Sequence, residues 1–125
     1  MPVQVPVLPL KSAELFSLHR AIGESGTTGH VVVVEGFFDC MKVSQAGFPC
    51  VGLMGSSLSE HQESLLLRRF TNATLLLDGD EAGQRATDDC LVRLGRRLWV
   101  LAVVLPAGQQ PDQLSGEELS ALLGK

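Results

Sequence analysis

The apolar positions of the chain form four short continuous runs that are separated by segments with helical spacing. These runs cover residues 31–34, 50–54, 73–77 and 98–105. Continuous apolar character is what strands buried on both faces require, because helices cover the two sides of a parallel sheet. The alternation of such runs with helical segments favours parallel βαβ units over hairpins. The sequence therefore predicts an α/β fold with four buried strands.

The helical segments carry their own start and stop signals. The first, residues 38–46, is followed by Gly47, a common helix stop. The second opens at Ser59 with a capping box, and Asp80 is placed to cap the free amides of the third. A last short helix over residues 115–123 also begins with a capping pattern. These signals predict three helices between the strands and one after them.

The first 29 residues have a different pattern from the rest of the chain. Several prolines punctuate the start, a helical pattern follows over residues 12–23, and a loop rich in Gly, Ser and Thr ends the segment. We expect a lead-in segment with one helix (residues 1–29) that lies outside the core. The main domain is predicted at residues 30–114 and a short C-terminal helix at residues 115–125.

Composition narrows the class of protein. The 125 residues, 45% hydrophobic and 19% charged, suit one globular domain. Apolar runs stay well below the roughly 20 residues that span a bilayer, and the N-terminus lacks the pattern of a signal peptide. We expect a soluble cytoplasmic protein with no membrane partner. The three cysteines, Cys40, Cys50 and Cys90, are odd in number and lie in apolar surroundings, which predicts buried thiols.

Charge and residue types restrict the chemistry further. The formal net charge is −4, from 10 Lys and Arg against 14 Asp and Glu. Any contact with nucleic acid must then be local or bridged by cations. Tyrosine is absent from the sequence, which rules out a tyrosine nucleophile contributed by this chain.

Acidic residues follow two of the predicted strands. Glu35 comes directly after the first, and Asp78 and Asp80 come after the third. The carboxyl ends of parallel strands form the edge at which ligands bind. If the first and third strands are neighbours, the three acids meet, and each pair about 5 Å apart repels by roughly 3 kcal/mol at an effective dielectric near 20. A bound divalent cation would explain such clustering, since Mg²⁺ prefers carboxylate oxygens.

Simpler interpretations of these acids remain open. Asp-Gly is a common turn dipeptide, and Asp80 can serve only as a helix cap. Glu35 can be an ordinary solvated strand end. The joint placement of the acids, with glycines where a phosphate would approach the backbone, favours the metal site.

Two motifs resemble those of a known family. Residues 35–39, EGFFD, look like the EGxxD motif of the toprim domain in bacterial DnaG-type DNA primases, and residues 78–83, DGDEAG, look like its DGDxAG motif. Residues 55–59, GSSLS, stand where primases have a Gly-Thr-Ala-Leu-Thr type of loop. The resemblance covers about residues 30–114, and residues 15–21 resemble the helix that precedes the domain.

The resemblance implies a Rossmann-like three-layer α/β/α fold with a four-stranded parallel sheet. It also implies an acidic edge that holds Mg²⁺ or Mn²⁺. Glu35, Asp78 and Asp80 would be catalytic acids and metal ligands, and Asp39 would support catalysis from the first helical turn. Primases carry Asp-Pro-Asp after the fourth strand, where this chain has Gln-Pro-Asp, so Asp112 alone would add a ligand there. Contacts to phosphate or nucleic acid would come from Gly36, Gly55, Ser56, Ser57, Gly79 and Arg85.

The function that the resemblance implies is that of the metal-binding catalytic subdomain of a primase-like nucleotidyltransferase, which makes RNA primers for DNA replication. Its partners would be a single-stranded DNA template, an RNA primer and nucleoside triphosphates, bound through additional domains. A zinc-binding module and a basic subdomain do not fit within this length, so we expect an excised domain or a small relative with weak activity in isolation. A stand-alone toprim nuclease and a non-catalytic nucleic-acid interaction module are the alternatives.

Overall fold

A computed structural model describes residues 14–124. Its centre is one sheet of four parallel strands in the order β2-β1-β3-β4. The strands are β1 (His30–Val34), β2 (Cys50–Gly52), β3 (Asn72–Leu75) and β4 (Trp99–Ala102). The α/β class and the four parallel strands are confirmed, and the first and third strands are neighbours, which is the condition under which the acids can meet.

Helices cover both faces of the sheet, which gives the three-layer arrangement. They are α1 (Leu18–Ser25), α2 (Phe37–Gln45), α3 (Glu60–Arg69), α4 (Glu81–Leu94) and α5 (Gly116–Leu123), with a 3₁₀ helix at Pro111–Gln113. One core layer lies beneath α1, α3 and α4, and the other beneath α2 and α5. Successive side chains of β1 enter the two layers alternately, so Val31 to Val34 are all fully buried.

The predicted helix caps are present. Ser59 Oγ accepts from the amide of Gln62 at 3.0 Å, and Ser115 Oγ accepts from the amide of Glu118 at 3.0 Å. The Asp80 carboxylate accepts from the amide of Gly83 at 2.7 Å. The cysteine thiols are free and buried, as predicted. No helix within the described range is both long and apolar enough to cross a membrane.

The expectation that all four strands are buried is wrong for β4. Trp99 is 85% exposed and Leu101 is 62% exposed. The strand lies at the edge of the sheet, where Val100 and Ala102 pack into the core layer beneath α4. Trp99 and Leu101 point to the opposite face and stay exposed. The apolar character of residues 98–105 is therefore not sufficient evidence that this strand is buried on both faces.

The lead-in segment also differs from expectation. The predicted helix at residues 12–23 begins only at Leu18, and the predicted part before residue 14 lies outside the described residues. Leu15 and Ala21 are buried in the core layer of α3 and α4. The backbone of Phe16 exchanges two hydrogen bonds with Gly52 of β2. The part of the lead-in from residue 14 onward is thus packed into the domain.

Candidate active site at the carboxyl edge of the sheet

The ends of β1 and β3 bring two motifs that are distant in sequence into contact. Glu35 follows β1, and Asp78 lies just beyond β3. These two strands are direct neighbours in the sheet. Glu35 Oε2 accepts a hydrogen bond from the backbone amide of Asp78 at 2.8 Å. The Glu35 side chain thus ties the two strand ends together and fixes the position at which the Asp78 side chain leaves the backbone.

Asp39 organises the other side of the same edge. It lies in the first turn of α2 and is buried. Its Oδ1 accepts from the amide of Asp112 at 3.0 Å, and its Oδ2 accepts from the amide of Gly36 at 3.3 Å. One carboxylate therefore holds the 3₁₀ helix that carries Asp112 against the start of α2. Asp39 thus lies in the first helical turn, as the sequence predicts, and its supporting role in catalysis stays a prediction.

These residues surround an open cleft of about 400 Å³, here called the acid cleft. Its lining residues come from the ends of β1, β2 and β3 and from the 3₁₀ helix. They are Glu35, Gly36, Phe37, Phe38, Asp39, Met54, Gly55, Ser56, Asp78, Gln110 and Asp112. Four of the five predicted acids therefore line one cleft.

Asp80 is the exception among the predicted acids. It is exposed and does not line the acid cleft. Its carboxylate caps α4 through Gly83, which is the simpler role that the sequence left open. Its charge still contributes to raising the pKa of Glu35 and of Asp78.

The clustered acids disfavour one another's ionisation. Burial, followed by the charges of Glu35, Asp39, Asp80 and Asp112, raises the pKa of Asp78 from 3.8 to about 7. Burial also raises the pKa of Glu35, although the hydrogen bond from the Asp78 amide opposes this rise. The pKa of Asp39 is raised as well, mainly by burial, against the opposing hydrogen bond from the Asp112 amide. The cleft therefore concentrates negative charge at a cost to folding.

Two carboxylate oxygens in the cleft are left without partners. Oδ1 of Asp78 and Oδ1 of Asp112 are buried and accept no hydrogen bond from any described residue. Buried oxygens of this kind need an explanation, and a cation is one that hard carboxylate ligands fit. Residues 14–124 nevertheless contain no ready arrangement of three or more Asp, Glu, His or Cys side chains around a metal position. The carboxylate oxygens of the cleft are suitable ligands for a divalent cation. The predicted ligands Glu35, Asp78 and Asp80, however, are not arranged around one common position.

Three of the predicted phosphate-contact residues meet in a second hollow beside the cleft. This hollow has a volume of about 240 Å³, and its lining includes Ser56, Ser57 and Arg85. Ser56 belongs to both spaces. The Arg85 guanidinium is exposed and pairs with Glu81 at 3.1 Å. A phosphate in this hollow would therefore find hydroxyl groups and one arginine, with the carboxylate of Asp89 also in the lining.

The three glycines that were predicted to contact phosphate have different surroundings. Gly55 is exposed at the rim of the cleft. The amide of Gly36 is occupied by Asp39. The amide of Gly79 donates to Gln109 O at 2.8 Å, and a Cβ at Gly79 would collide with the backbone oxygen of Pro106. The geometry thus gives Gly79 a packing role in place of the predicted phosphate contact.

Sequence reasoning missed several residues of the cleft. Phe38 is 71% exposed at the rim, and its ring stands edge-on to that of Phe37, with centroids 5.2 Å apart. Met54 lines the cleft with a positive φ of 61°, unusual for a residue other than glycine. The aromatic pair directly after an acid and a glycine was a usable signal. Gln110 stands where primases have the first acid of Asp-Pro-Asp, and nothing in the sequence marks Met54.

The fold and the cleft together define an α/β domain with acids at the carboxyl edge of its sheet, as in toprim domains. Comparison with known families agrees, because residues 32–115 match the model described as "Toprim-like". The chain belongs to the Toprim-like family. This confirms the resemblance that the two motifs carry.

Several DNA primases are similar to this chain in sequence. The DNA primase of Rickettsia conorii is 35% identical over 107 residues, which cover 82% of this chain and 18% of that protein. That of Aquifex aeolicus is 31% identical over 109 residues, covering 86% of this chain and 22% of that protein. The chain thus spans about a fifth of the length of these curated relatives.

Solved primase structures share the fold. The zinc-binding and RNA polymerase domains of the Aquifex aeolicus primase match with a TM-score of 0.80 and 30% identity, over 92% of this chain and 30% of that one. A DnaG primase catalytic domain bound to single-stranded DNA matches with a TM-score of 0.75 and 27% identity, over 92% of this chain and 39% of that one. The similarity therefore reaches well beyond the two motifs.

Proposed function

We propose that this chain is the metal-binding catalytic subdomain of a DNA primase, which makes RNA primers for DNA replication by nucleotidyl transfer together with further domains. The observation that carries the proposal is the convergence of Glu35, Asp39, Asp78 and Asp112 on one cleft. The DNA primases among its relatives support the reaction type. Its partners would be a single-stranded DNA template, an RNA primer and nucleoside triphosphates, in the cytoplasm.

The cation would be Mg²⁺ or Mn²⁺. Asp78 and Asp112 would hold it with the oxygens that lack partners, and Glu35 and Asp80 are the further ligands that the family motifs suggest. When bound, a divalent ion neutralises phosphate charge and polarises the phosphoryl group. It would also offset the burial and, after it, the repulsion from neighbouring acids that raise the pKa of Asp78.

The remaining residues of the site position the metal ligands or receive the phosphates. Glu35 accepts a hydrogen bond from the backbone amide of Asp78, and Asp39 accepts one from the backbone amide of Asp112. These two contacts position the residues whose Oδ1 atoms lack partners. Ser56, with Ser57 and Arg85 in the adjoining hollow, would receive the phosphates of a nucleotide. Preorganised donors and charges of this kind stabilise the charge that develops on phosphate oxygens during transfer.

Titration calorimetry with Mn²⁺ tests the cation site directly. We expect the parent chain to bind Mn²⁺ and the double variant Asp78→Asn/Asp112→Asn to lose that binding. The control Asp88→Asn/Glu117→Gln removes two exposed acids outside the cleft and should bind like the parent. A parent chain without Mn²⁺ binding, or a double variant that binds equally well, would contradict the site.

Extension of an RNA primer annealed to a DNA template tests the reaction. With ribonucleotides and Mn²⁺, the parent chain at high concentration should add template-directed nucleotides slowly, and Asp78→Asn should add none. Nucleotide addition that does not depend on Asp78 would refute the assignment. Cleavage of the strands without synthesis would instead identify a nuclease.

A further inference from the structure

The outer edge of the sheet, formed by β4, carries several exposed apolar side chains. Among the described residues, seven large hydrophobic side chains are exposed, and three of these lie in β4 or two residues beyond it. Trp99 is 85% exposed, Leu101 is 62% exposed and Val104 is 74% exposed. Together they expose on the order of 400 Å² along this edge, the size at which an apolar patch on a single chain often marks an interaction site.

The backbone of β4 is also free to pair on its outer side. The amide of Val103 donates to Leu75 O of β3 at 2.9 Å. Because the hydrogen-bonding groups of a strand alternate between its two sides, the amides and carbonyls of Val100 and Ala102 point away from β3. No backbone hydrogen bond joins these groups to another element of residues 14–124. The outer side of β4 therefore presents unpaired donors and acceptors to a further strand.

This edge lacks the features that usually keep edge strands apart. Proteins commonly protect such edges with charged residues or proline. The run over residues 98–105, LWVLAVVL, contains neither. Arg96 and Arg97 precede the run, and Pro106 follows it. Strand pairing is thus permitted over this run and limited at both of its ends.

The two ends of β4 lie near charges of opposite sign. The C-terminal ends of α3 and α4 return the chain to the amino edge of the sheet, and four arginines there border one groove of about 650 Å³ between the helices. Arg93 pairs with Glu63 at 2.7 Å and with Asp89 at 2.7 Å. Arg96 and Arg97 form no ion pair with any described residue. The acid cleft lies at the carboxyl edge, so a second sheet that runs antiparallel to the first would bring arginines beside acids.

We propose that the domain forms a homodimer in which the β4 strands of two copies pair antiparallel and join the two sheets into one. With the two-fold axis at Leu101, Val100 of each copy exchanges both hydrogen bonds with Ala102 of the other. Leu101 then stands opposite Leu101 of the second copy, and Trp99 stands opposite Val103. These cross-strand pairs cover apolar surface that a single copy leaves in water.

The layers beside the sheet leave room for this pairing. Since α4 connects the neighbouring strands β3 and β4, the two copies of α4 would lie on the same face about two strand spacings apart. That distance, about 10 Å, is an ordinary separation of packed helices. A helix from another protein could also cover the apolar side chains, but it would leave the outward amides of β4 without acceptors. A second copy satisfies both the side chains and the backbone.

Pairing should stop at two copies. On the opposite edge of the sheet, the backbone of Phe16 exchanges two hydrogen bonds with Gly52 of β2, so only the edge at β4 is open. The interface would bury on the order of 1,000 Å² in total, near the lower end of the range for specific contacts. We therefore expect a reversible dimer with a dissociation constant on the order of 10 µM.

Sedimentation velocity in EDTA, over about 1 to 300 µM of the chain, tests the association. The parent should change from monomer to dimer across this range. Leu101→Lys places two cations opposite each other at the axis and should weaken the dimer at least tenfold. The control Leu122→Lys makes the same change at an exposed leucine of α5, outside β4, and should dimerise like the parent. Circular dichroism of each variant checks that the fold is intact.

Cross-linking tests the position of the two-fold axis. Side chains directly opposite each other in an antiparallel pair are close enough for a disulfide to form with a small adjustment. Leu101→Cys should therefore give a covalent dimer when diamide oxidises the two introduced thiols. Val104→Cys is also exposed on this edge but lies away from the axis, so it should stay largely monomeric. The native cysteines are buried, and the parent chain measures their background.

The indole ring gives a third measurement. The chain has one Trp and no Tyr, so its emission reports on Trp99. We expect this emission to shift to shorter wavelength as the concentration of the chain rises, because pairing removes the ring from water. Four results would overturn the proposal: a monomer at every concentration, species larger than a dimer, equal association of Leu101→Lys and Leu122→Lys, or equal cross-linking of Leu101→Cys and Val104→Cys.

Discussion

The raised pKa of Asp78 leads to a quantitative prediction for the free energy of unfolding of Asp78→Asn. Burial and the neighbouring acids raise the pKa of this carboxyl from 3.8 to about 7. A raised carboxyl pKa costs nothing below the ordinary value, destabilises the fold increasingly as the pH rises through the interval between the two values, and costs a constant amount above the higher value. The asparagine amide stays neutral and has nearly the same shape, so it avoids this cost.

The size of the effect follows from the two pKa values. A rise from 3.8 to about 7 corresponds to about 4 kcal/mol at full strength. Asp78 is only half-buried, and screening by solvent reduces this to about 2 kcal/mol. In EDTA, Asp78→Asn should equal the parent in free energy of unfolding near pH 4 and exceed it by about 2 kcal/mol near pH 8.

Urea unfolding followed by circular dichroism measures this difference at intervals across that pH range. Asp88→Asn removes an exposed aspartate from α4 and serves as the control, with a pH profile parallel to that of the parent. Added Mg²⁺ should then stabilise the parent at the higher pH and leave Asp78→Asn unchanged. Parallel profiles for the parent and Asp78→Asn would show that neither burial nor the neighbouring acids oppose the ionisation of Asp78.

Three further substitutions probe the framework of the site in urea unfolding. Asp80→Ala should cost about 1 kcal/mol through loss of the α4 cap, and Asp80→Ser should recover most of it; equal losses in both would exclude capping. Gly79→Ala should cost about 1–3 kcal/mol, because its Cβ would meet the Pro106 backbone; unchanged stability would mean that this turn yields. Arg93→Met should cost about 2 kcal/mol by leaving Glu63 unpaired, whereas Arg20→Met, at an exposed pair, should cost well under 1 kcal/mol; similar costs would contradict the structural role of Arg93.

The motifs reveal the site because each acid is adjacent to a strand end. Glu35 and Asp78 follow apolar runs that form neighbouring strands, so strand order alone brings them together. Sequence reasoning could not establish what each carboxylate binds. Asp80 is two residues from Asp78, yet it turns to cap α4 because the chain enters a helix at that point.

The local sequence pattern also does not show whether a strand lies at the edge of the sheet. The run over residues 98–105 is as apolar as the others, but β4 has a strand neighbour on one side only and is covered by α4 on one face. Trp99 and Leu101 are exposed for that reason. Likewise, the sequence shows arginines at two separate places, and only the packing of α4 against α3 joins them into one groove.

The sequence by itself determined the α/β alternation, the helix caps and the acids at the ends of β1 and β3, because these depend on residue spacing and on the chemistry of neighbouring residues. The tertiary structure decided which oxygens lack partners, how far the pKa of Asp78 rises and where the arginines meet. These properties arise from contacts between residues far apart in the chain, such as that between Asp39 and the amide of Asp112. Burial then sets their energies, since the same charges in water would interact only weakly.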